Sequence, residues 1–164
     1  MRLPTPEGLA WQQAAVARAR ATGIIVRELG PEAAEALRRL EAANHPDYPV
    51  TPATTHYLRD LRATRSLWVD SKRIFGALDG SLLVAATVIG RSGDHGETDF
   101  TSVLADYRGR GIGQAVKAAS ILALASEGAT TFGTGGAEVN KASLQANLAL
   151  GYVIEERWHS YQLG

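Results

Sequence analysis

The sequence predicts an α/β protein of the α+β kind, with one mixed, mostly antiparallel central sheet flanked by helices. Three observations carry that expectation. Asp79-Gly80 between two apolar runs marks a β-hairpin. A glycine-rich turn around Gly109–Gly113 joins a strand pattern to a long alanine-rich helix pattern. Strand and helix periodicities also follow one another along the chain without an intervening linker.

Taken in order, Leu9 to Arg20 is alanine-rich, with Trp11, Ala15 and Ala19 at helical spacing, and forms a helix ahead of the main fold. This divides the chain into an N-terminal helical extension, 1–22, and a main domain, 23–164. Gly23 to Leu29, with Ile24, Ile25 and Val26 together, is a buried first strand ending at Gly30-Pro31. A helix bearing Leu37 and Leu40 on one face follows. The turn residues of Asn44 to Pro49 precede a second helix, with Thr51 as N-cap and Pro52 at its first position, running through Leu58 and Leu61. Strands Arg73 to Leu78 and Ser81 to Ile89 form the hairpin, and a polar turn, Gly90 to Gly96, leads to a strand from Glu97 to Leu104. The helix from Ile112 to about Glu127 offers Val116, Ala119, Leu122 and Ala123 to a sheet. Strand Thr130 to Gly133, helix Asn140 to Leu150 and a closing pair around Tyr152 to Glu155 and Trp158 to Leu163 complete the order βααβββαβαββ.

The 164 residues, 45% of them hydrophobic, suffice for one domain with its own core. Basic and acidic residues balance at 17 each, so no net field favours nucleic acid or an anionic membrane. Any charged ligand must be held locally. Cysteine is absent, which excludes disulfides, thiolate metal sites and a cysteine nucleophile. With no signal-like start and no long apolar run, the expectation is a soluble cytoplasmic protein.

The most informative stretch is Val103 to Gln114, where a strand ends, glycines follow and a helix begins. Gly109, Gly111 and Gly113 let a ligand approach the backbone closely, and the first N–H groups of the helix then point at it with the positive end of the helix dipole. Arg108 and Arg110 add positive charge, as an anion site requires. A dinucleotide-binding G-x-G-x-x-G fails, because the third glycine falls on Gln114 or Val116 in the two possible registers. No G-x-x-x-x-G-K occurs either.

The pattern that does fit is R-x-x-G-x-G at Arg108, Gly111 and Gly113. It resembles the signature with which the GNAT superfamily of N-acetyltransferases binds the coenzyme A pyrophosphate. Downstream, Asn140 to Tyr152 resembles that family's second motif, a helix closing over the pantetheine arm. The resemblance spans about Gly23 to Leu163 and implies the GNAT fold with an extra N-terminal helix. It further implies acetyl-CoA as co-substrate and no metal. The residues it assigns to coenzyme binding are Val103 and Leu104 on the strand, Arg108, Gly109, Arg110, Gly111, Ile112, Gly113 and Gln114 in the turn, and Asn140, Ser143 and Asn147 on the helix. Position 147 departs from the commonest family pattern, a tyrosine that protonates the departing thiolate. Asparagine has no acidic proton to give, and Asn147 is expected to contact the cofactor by hydrogen bonds.

An amine acceptor with a pKa of about 10 is almost wholly protonated at neutral pH, so a base is needed. By position the resemblance points to Glu97, with Asp99 two residues on as the second choice. Either is equally readable as an exposed edge carboxylate, and His45 and His95 are lesser candidates. The acceptor cleft implied by related folds falls at His45 to Tyr48 and Glu156 to His159, making His45, Tyr48 and Trp158 substrate contacts. The expected acceptor is a small-molecule or peptide amine, met by a monomer or homodimer. Two alternatives stay open: a coenzyme A-binding or sensing module with little turnover, and an acetyltransferase of a protein N-terminus or other macromolecule.

Overall fold

The computed structural model describes residues 2–3, 9–47, 57–135 and 140–155. Its sheet contains β1 (Arg2–Leu3), β2 (Ile25–Leu29), β3 (Lys72–Asp79), β4 (Leu82–Ser92), β5 (His95–Val103) and β6 (Thr131–Thr134), in the spatial order β1-β6-β5-β4-β3-β2. All neighbours run antiparallel except β5 and β6. A parallel pair needs a crossover, and α4 (Ile112–Ser126) supplies it. The helices are completed by α1 (Leu9–Ala21), α2 (Ala34–Asn44), α3 (Leu61–Val69) and α5 (Lys141–Ala149). The expected mixed, mostly antiparallel sheet between helices is therefore present.

Helices cover both faces of the sheet. On one, α4 buries Ala118, Ile121 and Leu124 with Phe75, Ile89 and Phe132, and α1 adds Ala15 and Val16 to the same cluster. Gln12 of α1 is fully buried and donates from Nε2 to the Leu150 carbonyl at 2.7 Å, tying α1 to the end of α5. On the other face, Leu37 and Leu40 of α2 and Leu67 of α3 pack on Leu29, Ile74 and Val88. A Cβ at Gly96 would lie 2.9 Å from the Phe132 ring and 3.0 Å from Leu124, so β5 approaches α4 more closely than a side chain there allows.

Several local expectations are corrected. The first strand begins at Ile25 and is not wholly buried: Val26 and Leu29 point inward, whereas Ile25 is 55% exposed on the outer side of an edge strand. Trp11 is 58% exposed, because the inward face of α1 is Gln12, Ala15, Val16 and Ala19. Leu58 precedes the second large helix, which begins at Leu61 because Asp60 caps it, accepting from Ala63 N–H at 2.7 Å. Thr51 and Pro52 lie outside the described residues. The turn expected over Gly90 to Gly96 contracts to Gly93-Asp94, since β4 runs on to Ser92 and β5 starts at His95. Leu148 is 40% exposed, so α5 turns Asn147 inward. Tyr152 to Glu155 forms no regular strand, only a single bridge at Val153, and Trp158 to Leu163 lies outside the described residues. The strand beside β6 is the N-terminal β1, whose two residues are too few to show a strand periodicity.

Candidate functional site

The glycine turn begins where β5 leaves the sheet. Gly109 and Gly111 adopt φ of 72° and 75°, left-handed values that a side chain would strain. Gly111 is the N-cap of α4 and offers no capping side chain; the first intrahelical bond comes from Ala115 N–H to the Gly111 carbonyl at 3.0 Å. The amides of Ile112, Gly113 and Gln114 therefore precede the helix's own ladder. A Cβ built at Gly109 or Gly111 meets nothing within 4 Å, so open space lies beside the turn. Gly113 serves a different purpose. Its added Cβ would fall 3.0 Å from Val103 Cγ2, so glycine seats α4 on β5.

That space is a cavity of about 700 Å³. Its walls are Thr101, Ser102 and Val103 of β5, the turn residues with Gln114 and Lys117 of α4, Asn140 and the first turns of α5 as far as Asn147, and Asn44 at the end of α2 with Asp47 beyond it. The cavity brings together Val103, Arg108, Gly109, Gly111, Ile112, Gly113, Gln114, Asn140, Ser143 and Asn147. The strand wall is open toward β6 because their register ends at Thr98 and Thr134, while β5 continues to Val103.

Other site candidates lie elsewhere. Leu104 does not line the cavity; it follows β5, and its N–H donates to the Val84 carbonyl of β4 at 2.9 Å. Arg110 stacks over the Tyr107 ring with 4.9 Å to the centroid. His45 is exposed after α2 and is not part of the lining, and Tyr48 and Trp158 lie outside the described residues. Glu97 is exposed and 3.1 Å from His95 Nε2, whose Nδ1 lies 2.9 Å from Thr131 Oγ1. Asp99 is paired with Lys72 at 2.9 Å. It is skipped by the β4–β5 register, which passes from Thr98 opposite Ile89 to Phe100 opposite Val88. Glu97 and Asp99 are both exposed, and Thr98 between them is buried. Neither carboxylate lines the cavity.

Two features of the site escaped the sequence analysis. The first is a clamp on Arg108. Its guanidinium donates to the Val103 carbonyl at 3.0 Å, Asn44 Oδ1 at 3.0 Å and Asp47 Oδ2 at 2.9 Å, while Asn44 Nδ2 donates to Ser102 Oγ at 2.7 Å. The turn is thereby fixed to β5 and to the end of α2.

The second is Lys117. It stands one helical turn beyond Gly113 and is 5% exposed. Its Nζ donates to Thr134 Oγ1 at 3.0 Å and to Asn147 Oδ1, and lies 5.1 Å from the Tyr152 ring centroid. Burial lowers its ammonium to about 7, with Glu97 partly opposing the shift. The available signal was a lone lysine in an otherwise apolar stretch of helix. At the other end of the cavity, Asn140 Oδ1 accepts from Ser143 N–H at 3.1 Å and caps α5.

The sequence matches no family model and no curated protein. The fold does have solved counterparts. It is similar to the ribosomal-protein-S18-alanine N-acetyltransferase from Escherichia coli, with 16% identity, a TM-score of 0.65, and 78% of this chain and 76% of that one covered. It is similar to an aminoglycoside N-acetyltransferase, AAC(6')-Iy, in complex with CoA, with 17% identity, a TM-score of 0.66, and coverage of 85% and 94%. A third similar structure is an aminoglycoside acetyltransferase from an uncultured soil metagenomic sample in complex with sisomicin, with 12% identity, a TM-score of 0.67, and coverage of 86% and 95%. The chain has the fold of the GNAT N-acetyltransferases.

Proposed function

We propose that this protein is an N-acetyltransferase that uses acetyl-CoA and transfers the acetyl group to a primary amine by direct attack. The observation that carries the reading is the glycine turn: uncapped amides at the start of α4, two left-handed glycines and open space beside them, all facing a cavity walled by α5. This arrangement fits a pyrophosphate, which needs several N–H donors and close backbone approach rather than one strong cation. The amides of Ile112, Gly113 and Gln114 would hold it, and α5 would cover the arm lying against β5. In such a reaction coenzyme A supplies the acetyl group as a thioester.

The chain's own part is to place that thioester and to move protons. Glu97 is the proposed base, relaying the acceptor's proton through water, because its carboxylate is exposed beside the end of the β5–β6 pairing. The acceptor is a small-molecule or peptide amine. Thermal melting with and without acetyl-CoA tests the coenzyme site, and release of the CoA thiol across a panel of polyamines, aminoglycosides and N-terminal peptides tests transfer. A raised melting temperature with amine-dependent thiol release is the expected result. Absence of the shift overturns the reading.

A further inference from the structure

Acetyl transfer leaves a thiolate inside the cavity, and the walls contain one charged group placed to meet it there. The charged side chains lining the cavity are Asp47, Arg108, Lys117 and Lys141; all but Lys117 are exposed. Among the described residues Lys117 is the buried cation of the chain. A charge taken out of water needs partners, and Lys117 has neutral ones: Thr134 Oγ1 from the end of β6 and Asn147 Oδ1 from α5. Neither acceptor neutralises it. The carboxylate that acts on it electrostatically is Glu97 from β5, and the other titratable group packed on it is the Tyr152 phenol. Burial raises that phenol, so it is too weak an acid to compete. A buried ammonium on neutral acceptors, opening onto a cavity, is arranged to respond to a negative charge that forms there.

We propose that Lys117 gives a proton to the thiolate that departs when the acetyl group is transferred, positioned for this by Asn147 and Thr134. This rests on the acetyltransferase reading above. The acceptor nitrogen forms the C–N bond to the acetyl carbon, and the C–S bond breaks with its electron pair on sulfur. The Lys117 ammonium then passes one proton to that sulfur, which leaves a neutral amine and the CoA thiol. The acceptor nitrogen loses its own surplus proton through water to Glu97 or to solvent, and Lys117 is reprotonated from solvent when the products leave. An ammonium brought to about 7 is a stronger acid than a thiol with an ordinary pKa of about 8.5, so the transfer runs downhill. Asn147 is then a positioning residue that orients the donor.

The test needs no acceptor. The chain has no cysteine, so in a complex with CoA the only thiol is that of the ligand, and its ultraviolet thiolate band is read without background. Purified wild-type protein, Lys117→Met and Lys117→Arg are each saturated with CoA and titrated with pH. In the wild type Lys117 loses its proton first, so the thiolate is expected to form at or above the ordinary value of about 8.5. In Lys117→Met it is expected at the same place, and in Lys117→Arg, whose charge is not given up, it falls by at least about one pH unit. A wild-type thiolate that forms more than about one pH unit below 8.5, which would leave the proton on Lys117, or an unshifted thiol in Lys117→Arg, overturns the proposal. If Lys117→Met does not fold, the wild-type and Lys117→Arg titrations decide. CoA that binds Lys117→Arg with an unshifted thiol removes the role of Lys117 alone, whereas failure of CoA to bind the wild type removes the coenzyme site as well.

Discussion

Lys117 Nζ donates to Asn147 Oδ1, joining two residues 30 positions apart and tying the middle of α4 to the inward face of α5. Both residues line the cavity, and both are buried. A hydrogen bond from an ammonium to a neutral amide holds the charge in place without cancelling it, so the cavity keeps a group that can gain or lose a proton near neutrality.

Stability should carry the mark of that lysine. Its pKa is about 7 in the folded chain against an ordinary 10.5, so between those values the unfolded chain binds the extra proton. Stability from this group therefore rises as pH increases through the window and is lowest below about 7. Lys117→Met should be more stable than wild type at pH 7, and the gap should narrow toward pH 10. Urea denaturation of both proteins across that range checks the sign; a gap that widens with pH contradicts it.

Gly111→Val should abolish coenzyme binding. Valine at a φ of 75° is strained, costing on the order of 1–2 kcal/mol, and its branched side chain would fill the space beside the α4 amides. Calorimetric titration of acetyl-CoA into the folded variant, with far-ultraviolet circular dichroism as the folding control, measures the effect. Retention of wild-type affinity in the variant would show that the pyrophosphate binds elsewhere.

Removal of the Arg108 clamp should loosen the turn. Arg108→Ala is expected to weaken acetyl-CoA binding by about 10-fold, the scale of one charge-assisted contact and its positioning effect. Arg108→Lys should not restore affinity, because a single ammonium does not span Val103, Asn44 and Asp47 as the planar guanidinium does. Asp47→Ala should matter less, since that ion pair is exposed on both sides. Equal losses in Asp47→Ala and Arg108→Ala would place the effect in the ion pair rather than the clamp.

Once an acceptor is found, Glu97→Gln should reduce kcat/KM by about 10²-fold at neutral pH while leaving acetyl-CoA affinity nearly unchanged. The loss should shrink at high pH, where more of the amine is already deprotonated. Asp99→Asn is expected to have the smaller effect, because Lys72 already engages that carboxylate. Steady-state kinetics of both variants from neutral to alkaline pH distinguish them. Unchanged rates in Glu97→Gln would transfer the role of base to a water chain or to His95.

By itself the sequence determined those parts of this protein that depend on near neighbours. The Asp79-Gly80 hairpin, the left-handed glycines before α4 and the Asn140 cap of α5 are written in a few adjacent residues, because turn and cap chemistry acts over about four positions. The order of most helices and strands follows from hydrophobic period, and so does much of the cavity wall, since the turn carries its own geometry. Tertiary structure decided what depends on residues far apart. It set β1 beside β6, turned Gln12 of α1 inward onto Leu150, and bulged β5 at Asp99. It brought Arg108 to Asn44, 64 positions away, and made Lys117 a buried ammonium rather than a solvated one. The physical reason is that a side chain's burial and charge state are set by everything packed around it, and for Lys117 those neighbours come from β6, α5 and the segment after α5.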